Sequence, residues 1–209
     1  EICACLVGSE MCIRDRGTTA LGANNTAIAN AALAVGNNNR ATKGAATAIG
    51  VSSIADGEAS VAIGNVAQAT QIRATAVGNR ATATQDSASA FGNRANASAQ
   101  FATAIGDNSH ANAAAVAVGT HANASHQDSI AIGTNSTANW TNAISIGKDT
   151  VANKDHALAI ATEAKASGVQ SIAIGSESVS SDQATVAVGK TAQATKTGAI
   201  AMGSLATAT

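Results

Sequence analysis

The chain has no proline and no tyrosine, a single tryptophan and two phenylalanines, so that aromatic residues make up 1% of its 209 positions. A conventional core of large aliphatic and aromatic side chains is therefore excluded. Charged residues account for only 12%, with a formal net charge of −1. There is neither the basic footprint of a nucleic-acid binder nor an acidic tail. No apolar run reaches the roughly 18 residues of a membrane-spanning helix. With 45% apolar residues and little charge, the composition also argues against plain disorder. Cysteine is missing after Cys12. Cys3, Cys5 and Cys12 all fall in residues 1–16, EICACLVGSEMCIRDR. Three thiols without a paired histidine do not make a structural zinc site, and the segment lacks the ordered parts of a signal peptide. Residues 1–16 read as an extraneous or artefactual segment, and 17–209 as the folded domain.

What the chain has in abundance is alanine, 53 residues of it, beside 19 glycines. The glycines fall into one frame: Gly22, Gly36, Gly50, Gly64, Gly78, Gly92, Gly106, Gly119, Gly133, Gly147, Gly175, Gly189 and Gly203, with Ala161 where one more is due. Every interval is 14 residues except Gly106 to Gly119, which is 13. A fixed period of this kind marks a repeat architecture.

Positions are counted from the frame glycine. Position −1 is always large and apolar, and −3 is mostly Val, Ile, Leu or Thr. Position −2 is Ala except at Ser145, and −4 is Ala, Ser or Thr. Alternation with β-branched residues predicts a short strand. After the glycine, +3 and +5 are small while +4 and +6 are mostly polar, which predicts a second strand. Each unit is thus two strands of four or five residues and two turns. The shortened unit should lose its residue in a turn, where deletion costs least.

Parallel stacking of such units gives an all-β parallel β-roll, a solenoid with coils about 4.8 Å apart and a length of roughly 60 Å. Its interior would be so narrow that only small residues fit, which places −4, −2, +3 and +5 inside and −3 and −1 outside. The resulting outward apolar stripe would far exceed the few hundred Å² a soluble monomer exposes. Copies of the same chain around a symmetry axis are the simplest cover.

Two copies of one motif stand out, Ser129-Ile130-Ala131-Ile132-Gly133-Thr134-Asn135-Ser136 and Ser171-Ile172-Ala173-Ile174-Gly175-Ser176-Glu177-Ser178, with partial copies at Ser60–Gly64 and Asn142–Gly147. On these residues and the 14-residue frame the sequence resembles the YadA-type head of trimeric autotransporter adhesins. The resemblance implies a left-handed roll, a homotrimer, and display on a bacterial cell surface through outer-membrane parts outside these residues, so that the chain reads as an internal piece. It further implies virulence-related attachment to host extracellular matrix protein such as collagen, or to another cell surface. No enzyme activity, cofactor, metal, nucleic acid or direct membrane contact is expected.

The residues expected at the trimer interface are Val35, Ile49, Ile63, Val77, Phe91, Ile105, Val118, Ile132, Ile146, Ile160, Ile174 and Val188. Gly36, Gly50, Gly64, Gly78, Gly92, Gly106, Gly119, Gly133, Gly147, Gly175, Gly189 and Gly203 are the turn glycines. Ser129, Ser136, Ser171, Ser178 and Trp140 form the expected ligand surface. His110 is expected outward, and His121, His126 and His156 in or beside turns. His110 and His121 sit on adjacent coils, without a carboxylate or cysteine to complete a metal site. Trp140 reads either as a binding hot spot or as a ring lying across neighbouring coils. A flat ice-binding solenoid is the second reading. Thr19, Thr47, Thr75 and Thr103 occupy −3, but most of that row is Ile, Val or Leu.

Overall fold

A computed structural model describes residues 17–209 and the backbone of Cys12–Ile13. The reading of residues 1–16 as extraneous lies, apart from that dipeptide, outside the described residues. Cys12–Ile13 pairs in parallel with Thr26–Ala27. Among the described residues every regular element is a strand, and no helix is long and apolar enough to cross a membrane.

The chain divides into two compact units, residues 1–102 and 103–209. The first holds six turns of a parallel solenoid, from Thr19–Ala23 to Asn96–Ala97. The second holds eight, from Thr103–Ile105 to Thr207–Ala208. Within each unit one ladder carries the strand before the frame glycine and the other the strand after it. Pairing is parallel and in register with the repeat: Ala34 stacks on Ala48, Ala48 on Ala62, Ala131 on Ser145, Ala173 on Ala187. The second strand is only two residues long throughout, and the first is five or three, shorter in most coils than the sequence suggested.

Packing follows from side-chain size. The −2 and +5 alanines, such as Ala48, Ala55, Ala131 and Ala138, are fully buried, and so are most −4 and +3 residues. Each coil is so tight that a methyl group fills its share of the interior. Where −2 or +5 carries a hydroxyl instead, a threonine across the coil answers it. Ser145 donates to Thr150 Oγ1 at 2.7 Å, and Ser180 lies 2.6 Å from Thr185 Oγ1. Burying a hydroxyl is tolerated only with such a partner.

Two corners close each coil, and both use left-handed backbone. The +2 residue has positive φ in every coil from Asn24 (φ 52°) to Leu205 (φ 61°), including the β-branched Val66 (φ 57°) and Thr191 (φ 54°). The second corner puts a residue such as Ala31 (φ 58°), Phe101 (φ 60°) or His156 (φ 57°) in the same region. Asn24, Asn38 and Asn108 at +2 suit this conformation, whereas Val66 and Thr191 are strained there. The 13-residue coil loses its residue in the second corner, at Asn112–Ala115, as its spacing predicts.

Candidate functional surface

The outward side chains form rows, because each coil repeats its neighbour's geometry one strand spacing away. The −1 row is half-buried in the single chain: its members touch the coils on either side and leave one flank bare. Phe91, Ile105 and Ile132 are 39%, 40% and 38% exposed. Val35, Ile49, Ile63, Val77, Val118, Ile146, Ile160, Ile174 and Val188 are intermediate. The −3 row, with Leu33, Val61, Val116, Ile144 and Leu158, runs beside it at intermediate exposure. Each unit therefore carries a ridge of large apolar side chains that the described residues leave partly bare.

The −3 threonines do not form a ladder. Thr47 pairs with Leu33 and Val61, and Thr75 with Val61 and Ser89. Thr75 and Ser89 put two hydroxyls side by side, but Leu33 and Val61 break the regular hydroxyl lattice that an ice-binding face requires.

The face of the two-residue strands is polar and cross-linked between coils. Arg40 pairs with Asp56, which also accepts from Thr42 Oγ1 at 2.8 Å. Thr82 donates to Asn96 Oδ1 at 3.1 Å, and Ser125 to Asn139 Oδ1 at 3.0 Å. Two shallow open grooves of about 270 Å³ each lie in the first unit. One is lined by Asn24, Asn38, Ser52 and Arg40, the other by Lys43, Asp56, Glu58 and Gln71. Among the described residues no three His, Cys, Asp or Glu side chains gather to hold a metal. His110 pairs with Asn123, and its strand carries no second histidine. Partial burial holds its imidazole below the usual histidine pKa, because desolvation disfavours the cation.

Four of the five residues expected as a ligand surface point the other way. Ser129, Ser136, Ser171 and Ser178 are fully buried. Ser129 Oγ donates to His126 O at 2.7 Å, Ser136 Oγ donates to Gly133 O at 2.9 Å, and Ser171 Oγ accepts from Gly168 N–H at 3.1 Å. Ser129, Ser136 and Ser171 pin the corners from inside, where their −4 and +3 positions put them, while Ser178 Oγ is buried without a hydrogen-bond partner.

Trp140 is the one member that is exposed, at 40%. Its ring stacks on His126 of the preceding coil, with centroids 5.7 Å apart and planes 10° from parallel. Lys154 of the following coil places Nζ 4.8 Å from the indole centroid. The ring does lie across neighbouring coils. The three side chains share one repeat position, +7, on consecutive coils, and that shared offset was legible in the spacing.

Two features went unread in the sequence. One is the buried polar column Asn25, Asn39 and Ser53 at +3; the other is the close stacking of the glycines. A Cβ on Gly36 would lie 2.0 Å from Gly50 O, and one on Gly133 would lie 2.4 Å from Gly147 O.

A parallel β-solenoid with small residues inside and an apolar ridge outside is a repeat scaffold. The family model for the YadA head domain repeat matches residues 41–67, 69–95, 83–109, 97–115, 113–136, 141–160, 162–178, 166–192 and 181–206, and the chain belongs to that family. No curated protein matches the chain.

Proposed function

We propose that this chain is the head of a trimeric surface adhesin, a left-handed β-roll held away from a bacterial cell by parts outside this sequence and anchored in its outer membrane. Three chains would pack their −1 and −3 rows against one another. The observation that carries this reading is the uncovered ridge: a large apolar side chain at −1 of every coil, joined in most coils by Val, Ile or Leu at −3, recovers its burial energy only against a partner. The threefold arrangement itself comes from the family. A trimer of many similar coils presents many equivalent shallow surfaces, so weak contacts with host matrix proteins such as collagen, or with another cell, sum through effective concentration. The chain is not an enzyme on this reading.

Sedimentation of the chain tests it. The expected mass is three times 20.3 kDa. Ile132→Asp places a carboxylate in the ridge and should dissociate or unfold the assembly. A stable, well-dispersed wild-type monomer would remove the basis for the trimer. Retention on immobilised collagen or on cells, lost on dissociation, tests the adhesive part separately.

A further inference from the structure

We propose that Asn139 is an acceptor for N-linked glycosylation, the one Asn-x-Ser/Thr triplet of the chain that the fold presents to a transferase. The inference goes beyond the adhesin reading and does not depend on it.

The chain carries five such triplets: Asn24-Asn25-Thr26, Asn96-Ala97-Ser98, Asn123-Ala124-Ser125, Asn135-Ser136-Thr137 and Asn139-Trp140-Thr141. Each offers an acceptor amide and, two residues on, the hydroxyl that completes the motif, which is used on surface loops. All five fall between +2 and +8 of their coils, clear of the apolar −1 and −3 rows, so a sugar on any of them leaves the ridge free.

The solenoid then separates them. Asn96 and Asn123 stand in two-residue strands whose backbone is paired from coil to coil. Thr26 and Thr137 stand in equivalent strands. In these four triplets the middle residue, Asn25, Ala97, Ala124 or Ser136, is buried inside the coil. A buried centre holds the triplet flat on the solenoid, and a transferase could draw it into an active site only by opening the coil. Asn139-Trp140-Thr141 differs on both counts. It leaves the strand Thr137–Ala138 and ends before Ile144–Ile146, so all three residues lie outside the strands. Its middle residue is Trp140, which is 40% exposed.

The amide is presented as well. Asn139 Oδ1 accepts from Ser125 Oγ at 3.0 Å and from Asn123 Nδ2 at 3.3 Å, both on the preceding coil. Asn139 Nδ2, the atom that would carry the sugar, donates to no protein atom among the described residues. By contrast, Asn123 gives its Nδ2 to Asn139, and Asn135 gives its Nδ2 to Asp149 Oδ1 at 2.9 Å. In the transfer, Nδ2 attacks the anomeric carbon of a sugar activated through a diphosphate. The Nδ2–C1 bond forms and the C1–O bond breaks. The diphosphate carrier leaves with the electron pair, and one amide proton passes to a basic group of the transferase. The product keeps its carbonyl, so both inter-coil bonds at Oδ1 survive the modification. The carrier is a nucleoside or a polyprenol, and the chemistry at Asn139 is the same for both.

The test offers the folded full chain to a soluble N-glycosyltransferase that reads this motif, with UDP-glucose. A second arm uses a membrane oligosaccharyltransferase with a polyprenyl-pyrophosphate oligosaccharide. Intact mass, with peptide fragmentation that preserves the glycosidic bond, reads the number and position of the sugars. A single glycan per chain, on Asn139, is expected. Thr141→Ala removes the motif hydroxyl and none of the Asn139 contacts, and it should abolish the mass increment. Thr141→Ser should restore it, and Asn96→Gln should leave it unchanged. Circular dichroism of each variant establishes that the fold persists. Transfer in either arm supports the site, and the productive arm identifies the carrier. No transfer in either arm, under conditions that fully convert a control peptide bearing the motif, overturns the proposal. So does a sugar placed first on Asn24, Asn96, Asn123 or Asn135, or an undiminished increment in Thr141→Ala.

Discussion

In the coils of Gly22, Gly36, Gly50 and Gly64 the first strand runs five residues, through the glycine and one residue beyond it. From Thr75–Val77 onward it is three residues long and stops before the glycine. The later coils close at once. The +3 N–H donates back to the frame residue's carbonyl, as in Ala122 to Gly119 at 3.2 Å, Ser136 to Gly133 at 3.3 Å and Ser178 to Gly175 at 3.1 Å. In the early coils that carbonyl is taken by a buried side chain of the coil before. Asn25 Nδ2 donates to Gly36 O at 2.7 Å, Asn39 Nδ2 to Gly50 O at 2.7 Å, and Ser53 Oγ to Gly64 O at 2.8 Å. Asn25 and Asn39 also receive the +3 N–H of the next coil on Oδ1, at 3.0 and 2.9 Å. With both groups engaged between coils, the chain stays extended through the glycine. At Ala67 the column of polar side chains ends, and the strand shortens one coil later.

Serine alone does not choose between the two corners. Ser53 reaches forward to the next coil's glycine, whereas Ser109 and Ser136 bond back to their own, Gly106 and Gly133. What precedes the serine decides. Asn39 already holds the Ser53 N–H, so the corner at Ser53 is extended before its own hydroxyl finds a partner. The corner type is inherited from coil to coil, as a nearest-neighbour stack allows.

The largest expected effect breaks the early corner at its glycine. In Gly36→Ala the new Cβ would fall 2.0 Å from Gly50 O and 3.0 Å from Asn39 Nδ2, at φ 120°. The nearest atom is backbone of a paired strand and has nowhere to go. A loss above about 4 kcal/mol, or failure to fold, is expected in denaturant titration. A variant with near-native stability would mean that the extended corner is not held between coils as described.

Next in size, Asn39→Ala leaves Val35 O, Gly50 O and the Ser53 N–H without their side-chain partner. Stranded buried backbone groups cost about 1–3 kcal/mol each before relaxation. The expected loss is about 3 kcal/mol, seen as a lower denaturation midpoint. A loss below about 0.5 kcal/mol would show that the coil of Gly50 simply adopts the later corner, and that the two types are nearly equal in energy.

The inward and outward rows were legible because a two-residue period with one small side is enough to say which side faces a narrow interior. The corner types were not. Read as a row of small residues, +3 conceals that Asn25 and Asn39 have a reach that Ala67 and Ala81 lack. The four serines misled for a related reason. Ser129 and Ser171 at −4, Ser136 and Ser178 at +3, stand out in a motif, yet those positions are inward ones, and position outweighs motif. The ridge at +7 needed only the alignment of His126, Trp140 and Lys154 one repeat apart. Their mutual distances needed coordinates.

The smallest effects belong to the later corner, and they measure how much looser it is. A Cβ on Gly133 would meet Gly147 O at 2.4 Å and Gly147 C at 2.6 Å, where one on Gly36 meets Gly50 O at 2.0 Å and Gly50 C at 3.0 Å. The same column already accepts a methyl group at Ala161. There φ falls to 91°, against 135° at Gly147 and 130° at Gly175, and the closing bond from Ala164 N–H to Ala161 O persists at 3.2 Å. Gly133→Ala should therefore cost about 2 kcal/mol, because its corner has an adjusted form to fall into. Ala161→Gly should run the other way. A non-glycine residue held at positive φ carries about 1–3 kcal/mol of strain, and glycine gives back up to about 1 kcal/mol through the freedom of the unfolded chain. A net gain of about 1 kcal/mol is expected, read as a higher denaturation midpoint at unchanged slope. A loss instead would mean that the Ala161 methyl packs usefully against its neighbours. The break in the glycine column would then be an adaptation rather than a strain that the later corner is loose enough to absorb.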